Sequence, residues 1–263
     1  VFKPILKAVL PVAAVALAAG LSGCKDAKIK IDGEGVPLAD LDLSGDPPRE
    51  VILAGPDNVF ISDGEKLDID VSGEDEAVDA MRFTFKDGKL AIMRKNGRFD
   101  SKTRATVRIT MPSPNAIMIA GSGTIEAASL SGDASATIAG SGTLKAAAVD
   151  AEALDVNVLG SGRFEASGKA GSLDLNIAGS GLAKMDSLMV GSADVTIAGS
   201  GDASFASDGE VEAKVMGSGN VTITGRATCT VKSMGSGSVV CKPAADNTDE
   251  AGDSSAEADN GDA

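Results

Sequence analysis

Few side chains in this 263-residue chain are equipped for covalent chemistry or metal binding: three cysteines, Cys24, Cys229 and Cys241, a set of serines held between glycines, and 38 acidic residues. Histidine is absent, and so are Trp and Tyr. That excludes Ser-His-Asp triads, Cys-His dyads, His-ligated metals and HExxH proteases, and it leaves no Trp or Tyr platform for a sugar ring. Cleavage of a polysaccharide needs carboxylates gathered on one face. Asp150, Glu152, Asp155, Glu165, Asp174, Asp186, Asp194 and Asp202 instead read as acids drifting over a solvated surface. No catalytic residue, metal ligand or cofactor is expected, and an enzyme acting on cell-wall or exopolysaccharide glycans stands as the competing class.

Cys24 is set apart by what precedes it. Residues 1–23 carry Lys3 and Lys7, then an apolar run from Ala8 to Leu21, then Ser22 and Gly23. These are the zones of a secretory signal, and the run is shorter than the ~20 residues that span a bilayer. Leu21-Ser22-Gly23-Cys24 resembles the bacterial lipobox, which implies cleavage before Cys24 and transfer of a diacylglycerol to its sulfur. Each buried CH₂ contributes about 0.8 kcal/mol, so acyl chains would hold the chain at the membrane. An uncleaved anchor is the alternative. In proteins with similar lipoboxes an Asp after the cysteine marks inner-membrane retention; Lys25 stands there, so the expected location is the bacterial cell envelope, at the outer membrane. With Cys24 so used, Cys229 and Cys241 remain as a pair in an oxidising compartment. They read as a disulfide, with two buried thiols as the alternative.

Charge narrows the partners. The net charge is -14, and residues 243–263 hold seven acids and no base. Such a chain gains nothing from counterion release on a phosphate backbone, so no nucleic-acid partner is expected. The tail lacks apolar periodicity and reads as a disordered, solvating segment. Expected partners are the membrane, through the N-terminal lipid, and an envelope protein or glycan.

The positioning elements come from a repeat. Gly-Ser-Gly begins at Gly121, Gly140, Gly160, Gly179, Gly199, Gly217 and Gly235, at spacings of 19, 20, 19, 20, 18 and 18. Two residues before each first glycine stand Ile119, Ile138, Val158, Ile177, Ile197, Val215 and Ser233; four before it stand Ile117, Ala136, Val156, Leu175, Val195, Ala213 and Val231. Mostly polar residues alternate with them, which is the period of a strand with one buried face. A second strand follows, with Ile125, Leu144, Phe164, Ala183, Ala203, Val221 and Val239 at its inward position. A unit of this length cannot bury its apolar side alone, but stacked units can, each strand pairing in parallel about 4.8 Å from its equivalent. The predicted fold is all-β: a parallel β-helix, or solenoid, of about 19-residue coils with one GSG corner each. Glycine fits the corner because the bend needs positive φ and a Cβ would crowd the coil above.

Before the repeat, strands are predicted at 28–31, 50–53, 58–61, 66–71, 81–85, 89–93 and 105–111, separated by turns such as Asp63-Gly64 and Asp87-Gly88. They either continue the helix or cap it. The stretch from Glu50 to Lys242, with its lead-in EVILAGPDNVFISDGEKLDIDV, the step FKDGKLAIMRK, the segment VRITMPSPNAIMIAGSG and the later GSG coils, resembles the auto-transporter adhesin head domain called the GIN domain. That resemblance implies a right-handed parallel β-helix on bacterial envelope proteins, with an adhesive role and no catalytic residues. The expected organisation is a signal peptide at 1–23, a lipidated linker at 24–49, the β-helix at 50–242 and the tail at 243–263.

A contact edge follows from the alternation. Ala120, Ala139, Leu159, Ala178, Ala198, Met216 and Met234 precede each GSG and should point outward beside a serine ladder. The candidate edge centres on Ala139, Ser141, Ala178, Ser180, Ala198 and Ser200, a flat surface for a partner unless the corner turns the row inward.

Overall fold

The structure is a computed structural model that describes residues 34–95 and 103–242. Cys24, the signal segment, the strand expected at 28–31 and the acidic tail lie outside these residues.

Alternating apolar residues form strands, and turn residues end them. The cap-side strands are β1 (Glu50–Ala54), β2 (Asn58–Asp63), β3 (Asp68–Gly73), β4 (Met81–Lys86), β5 (Lys89–Arg94) and β6 (Ala105–Met111). The repeat supplies β7 (Ala116–Gly121), β8 (Thr124–Gly140), β9 (Thr143–Gly160), β10 (Arg163–Gly179), β11 (Leu182–Gly199) and β12 (Asp202–Ser207). It ends with β13 (Glu210–Gly217), β14 (Asn220–Thr224), β15 (Thr228–Gly235) and β16 (Ser238–Lys242). From β7 onward every pairing is parallel, and equivalent residues of successive coils face each other: Ile119, Ile138, Val158, Ile177, Ile197, Val215 and Ser233 form one column. Ile125, Leu144, Phe164, Ala183, Ala203, Val221 and Val239 form the facing one. Except in the last coil these residues are buried. The result is a parallel β-solenoid of about 7 turns with coils about 19 residues apart. Its core is stacked apolar side chains, of which each Val, Leu, Ile, Met or Phe contributes about 1.5–3 kcal/mol by leaving water.

The region before the repeat both continues the solenoid and caps it. β1 lies between β5 and β7, with Val51 facing Leu90 and Ile117. β2 lies between β6 and β8, with Val59 facing Val107 and Ile125. β5 and β6 therefore stack outside β1 and β2, and β7 and β8 stack on the other side of them. On this outer coil β3 and β4 pair antiparallel, with β6 and β5 respectively. The β4–β5 connection is the foreseen Asp87-Gly88 turn, with both residues at positive φ as a tight hairpin requires. The strand expected at 66–71 is β3, which begins at Asp68, and it is followed by an unforeseen short helix, α1 (Asp75–Ala80), that buries Ala77.

The opposite end is barer. Among the described residues β15 and β16 each pair on one side only, and Val231, on an inward column, is 45% exposed there. Glycine also marks more than one corner, contrary to the sequence reading. A Cβ at Gly171 would stand 2.5 Å from the Glu152 carbonyl oxygen, and one at Gly191 the same distance from that of Gly171. No helix among the described residues is long and apolar enough to cross a membrane.

Candidate contact surface

The GSG corner is built by two different demands. At Gly160 the backbone has φ +120°, and a Cβ would lie 2.5 Å from the Gly140 carbonyl oxygen one coil below. At Gly201, the third residue of its corner, a Cβ would collide with Ile177 Cγ2 at 2.5 Å and Gly181 O at 2.7 Å. The absence of both side chains lets the backbone ladder run unbroken through the bend. Ser141, Ser161, Ser180, Ser200 and Ser218 each donate their N–H to the first glycine carbonyl of the preceding coil, at 2.8–3.0 Å. Their side chains are left outside. Ser122, Ser141, Ser161, Ser180, Ser200, Ser218 and Ser236 are all exposed.

The row before each GSG points outward. Ala139, Ala178 and Ala198 are half-buried by their neighbours, while Leu159, Met216 and Met234 are 43%, 48% and 74% exposed. Ala139, Leu159, Ala178 and Ala198 face one another in register across β8 to β11. The six residues of the candidate edge are thus brought together on one border of the solenoid. Cys229 and Cys241 are joined by a disulfide, with Cα atoms 6.8 Å apart. Cys229 continues the column of Val211 and Cys241 that of Ile223, so the bridge lies across the bare end of the core.

Three features escaped the sequence reading. Asp155, Asp174, Asp194 and Glu212 do not drift: they face one another as a single outward column. Each stands five residues before its first glycine, so alignment on the repeat carries the signal. Asn157 and Asn176 donate to Asp155 and Asp174 at 2.6 and 2.8 Å. Partial burial, then the facing Asp174 carboxylate, raises the Asp155 pKa, while hydrogen bonds from Lys232 and Lys214 hold Glu212 below its usual value.

A second column, five residues after the first glycine, alternates in sign: Glu126, Lys145, Glu165, Lys184. It borders a shallow groove of about 480 Å³ in which Ala128 and Ala147 are exposed. Glu126 and Glu165 lie two coils apart, their backbones about 10 Å from one another. Lys145 lies between them and pairs with Glu126 at 3.0 Å, a bond that raises the lysine pKa.

The third feature is buried. Asp57 occupies the place of the third corner glycine in the coil of β1 and β2, and it is fully buried. Arg94 Nε and Nη2 donate to its two oxygens at 2.8 and 2.5 Å, and the Ala105 N–H donates to it at 2.8 Å. The GPDN sequence departs from GSG here because the corner must receive an arginine from the outer coil.

The fold and its outward rows define a parallel β-solenoid that presents one repeated edge to its surroundings. The family model described as "Putative auto-transporter adhesin, head GIN domain" matches residues 47–227, and the chain belongs to that family. The match stops before the disulfide-closed coil. Solved structures share the fold. A "putative adhesin" from Bacteroides fragilis is 22% identical with a TM-score of 0.66, covering 75% of this chain and 92% of its own. A "putative adhesin" from Parabacteroides distasonis is 20% identical with a TM-score of 0.62, covering 76% and 94%. A "putative lipid binding protein" from the same organism is 20% identical with a TM-score of 0.57, covering 75% and 93%. Curated proteins offer no match. The family description is that of an adhesion-like protein of the cell surface or envelope.

Proposed function

We propose that this protein is a non-catalytic contact module of the bacterial envelope, held by lipid on Cys24 and binding an envelope protein or glycan along its GSG edge. The observation that carries the reading is the register of that edge: apolar residues and exposed serines repeat at every coil, about 4.8 Å apart. Such a border is straight and offers the same pair of groups many times, so a repetitive partner meets it at several points at once. The anchor rests on the sequence behind Cys24, and Cys24→Ser should move the protein from the membrane fraction to the soluble one.

The edge is tested by placing charge on it. Ala178→Glu with Ala198→Glu puts two carboxylates on adjacent coils. Both positions are half-buried on the outward row, so the change leaves the inward columns intact and the circular dichroism spectrum should be unchanged. Retention of envelope vesicles by the immobilised protein should fall sharply. Undiminished retention by a folded double variant would sink the edge reading.

A further inference from the structure

A cleft of about 1070 Å³ lies away from the GSG edge, at the junction between cap and solenoid. We propose that it is a binding site for a short, neutral oligosaccharide. Its walls come from the loop before β1, the β4–β5 turn, the loop between β6 and β7, and the bend of β8 at Ser131 and Gly132.

The walls are rigid and their backbone is already committed. Gly88 O accepts from Arg49 and Glu50, Arg49 O accepts from Asn115 and Ala116, and Pro114 O accepts from Ser131, all at 2.8–3.2 Å. Pro47, Pro48 and Pro112 line the same cleft and have no N–H to offer. A peptide adding a strand needs free backbone groups, and these walls provide few. Recognition falls to side chains instead.

Those side chains are unspent. Ser113 Oγ is shielded from solvent with no hydrogen-bond partner. Arg49, Lys86, Asn115 and Ser131 make no side-chain hydrogen bond or ion pair among the described residues, whereas the Asp42 carboxylate is taken by the Ser44 N–H at 2.9 Å. Phe85 packs one side on the core and lines the cleft with the rest.

One aromatic ring beside donors (Arg49, Lys86), acceptors (Asp46, Asp87) and groups that do both (Asn115, Ser131) suits a molecule whose hydroxyls donate and accept and whose ring carries an apolar face. That is a sugar. The rim mixes acids and bases, and the molecule is acidic overall, so neither a strong anion nor a strong cation is favoured. The volume is at the top of the ~300–1,000 Å³ range of small-ligand sites, which fits several linked sugars rather than one.

The test is titration of the full chain with maltohexaose, cellohexaose, mannohexaose and chitohexaose, with hexagalacturonate as the anionic counterpart, followed by NMR. At least one neutral oligomer should bind below about 5 mM and shift the resonances of Arg49, Phe85 and Asn115. Arg49→Ala and Asn115→Ala should each weaken it roughly tenfold or more, and Phe85→Leu, which keeps the apolar packing but removes the ring, should weaken it too. The edge variant Ala178→Glu with Ala198→Glu should bind as the wild type does, which separates this site from the proposed contact edge. Absence of binding by all four neutral oligomers, tighter binding of hexagalacturonate, or binding that survives Arg49→Ala combined with Asn115→Ala would overturn the proposal.

Discussion

Asp57 shows how much one side chain decides when it replaces a glycine at a buried corner. It accepts hydrogen bonds from Arg94 and from the Ala105 N–H, and neither ion has access to water. Removing the carboxylate leaves the buried guanidinium charge unbalanced, with the Thr103 carbonyl at 2.6 Å still accepting from it, at a cost of about 3–5 kcal/mol. Asp57→Asn should lower the unfolding free energy measured in urea by that margin; a loss under ~1 kcal/mol would show that the pair adds little. The Asp155 column makes a pH-dependent prediction. The Asp155 pKa is raised in the folded state, by burial first and then by Asp174. The folded form therefore binds the proton more tightly than the unfolded one, and this group's unfavourable contribution at neutral pH is relieved as pH falls through the raised value. Asp208 and Glu212 act in the opposite sense: their pKa values are lowered by hydrogen bonds from Arg226 and Lys232, and their stabilisation is lost as acid protonates them. Asp174→Asn should bring the Asp155 titration, followed by carboxyl NMR, down toward the ordinary range. An unmoved titration would leave burial as the sole cause.

Corners rather than strands distinguish the elements of this fold. Gly160 combines positive φ with a carbonyl where its Cβ would go, whereas Gly132 has φ +80° and open space around it. Gly132→Ala should therefore cost only the backbone term of about 1 kcal/mol, and Gly160→Ala distinctly more, because the ladder bond at Ser161 must also shift. Equal losses in thermal unfolding would mean that the coil below yields easily. The repeated corner was legible in sequence, since seven copies of one tripeptide fix the coil length and the parity of the residues flanking each corner. The second corner was not, because Glu152, Gly171, Gly191 and Gly209 share a place in the coil but not a residue type. The carboxylate column was legible in principle at a constant offset from the corner. It goes unnoticed when acids are counted rather than aligned. Asp57 and Arg94 were hidden for another reason: their contact joins coils that are neighbours in space but reversed in chain order, and no periodicity encodes that.

At the scale of the molecule the two ends are finished differently, and the difference predicts where the solenoid opens first. One end carries antiparallel β3 and β4, α1 and the Asp57–Arg94 pair; the other has two strands that, among the described residues, pair on one side only, and a core end closed by one disulfide. Coils of a solenoid hold mainly to their nearest neighbours, so damage at an end stays local. The bridge joins residues 12 apart in sequence, which in the chain-entropy model contributes roughly 3 kcal/mol. Only β15 and β16 depend on it directly. In the double variant Cys229→Ser with Cys241→Ser, amides of these two strands should exchange with solvent roughly a hundredfold faster, while those of β8 to β11 keep their protection. A uniform loss along the chain would mean that the coils fold as one cooperative unit. Unchanged exchange in β15 and β16 would mean instead that their parallel pairing with β13 and β14 suffices, and that the cystine serves the bare end only as a cover for Val211 and Ile223.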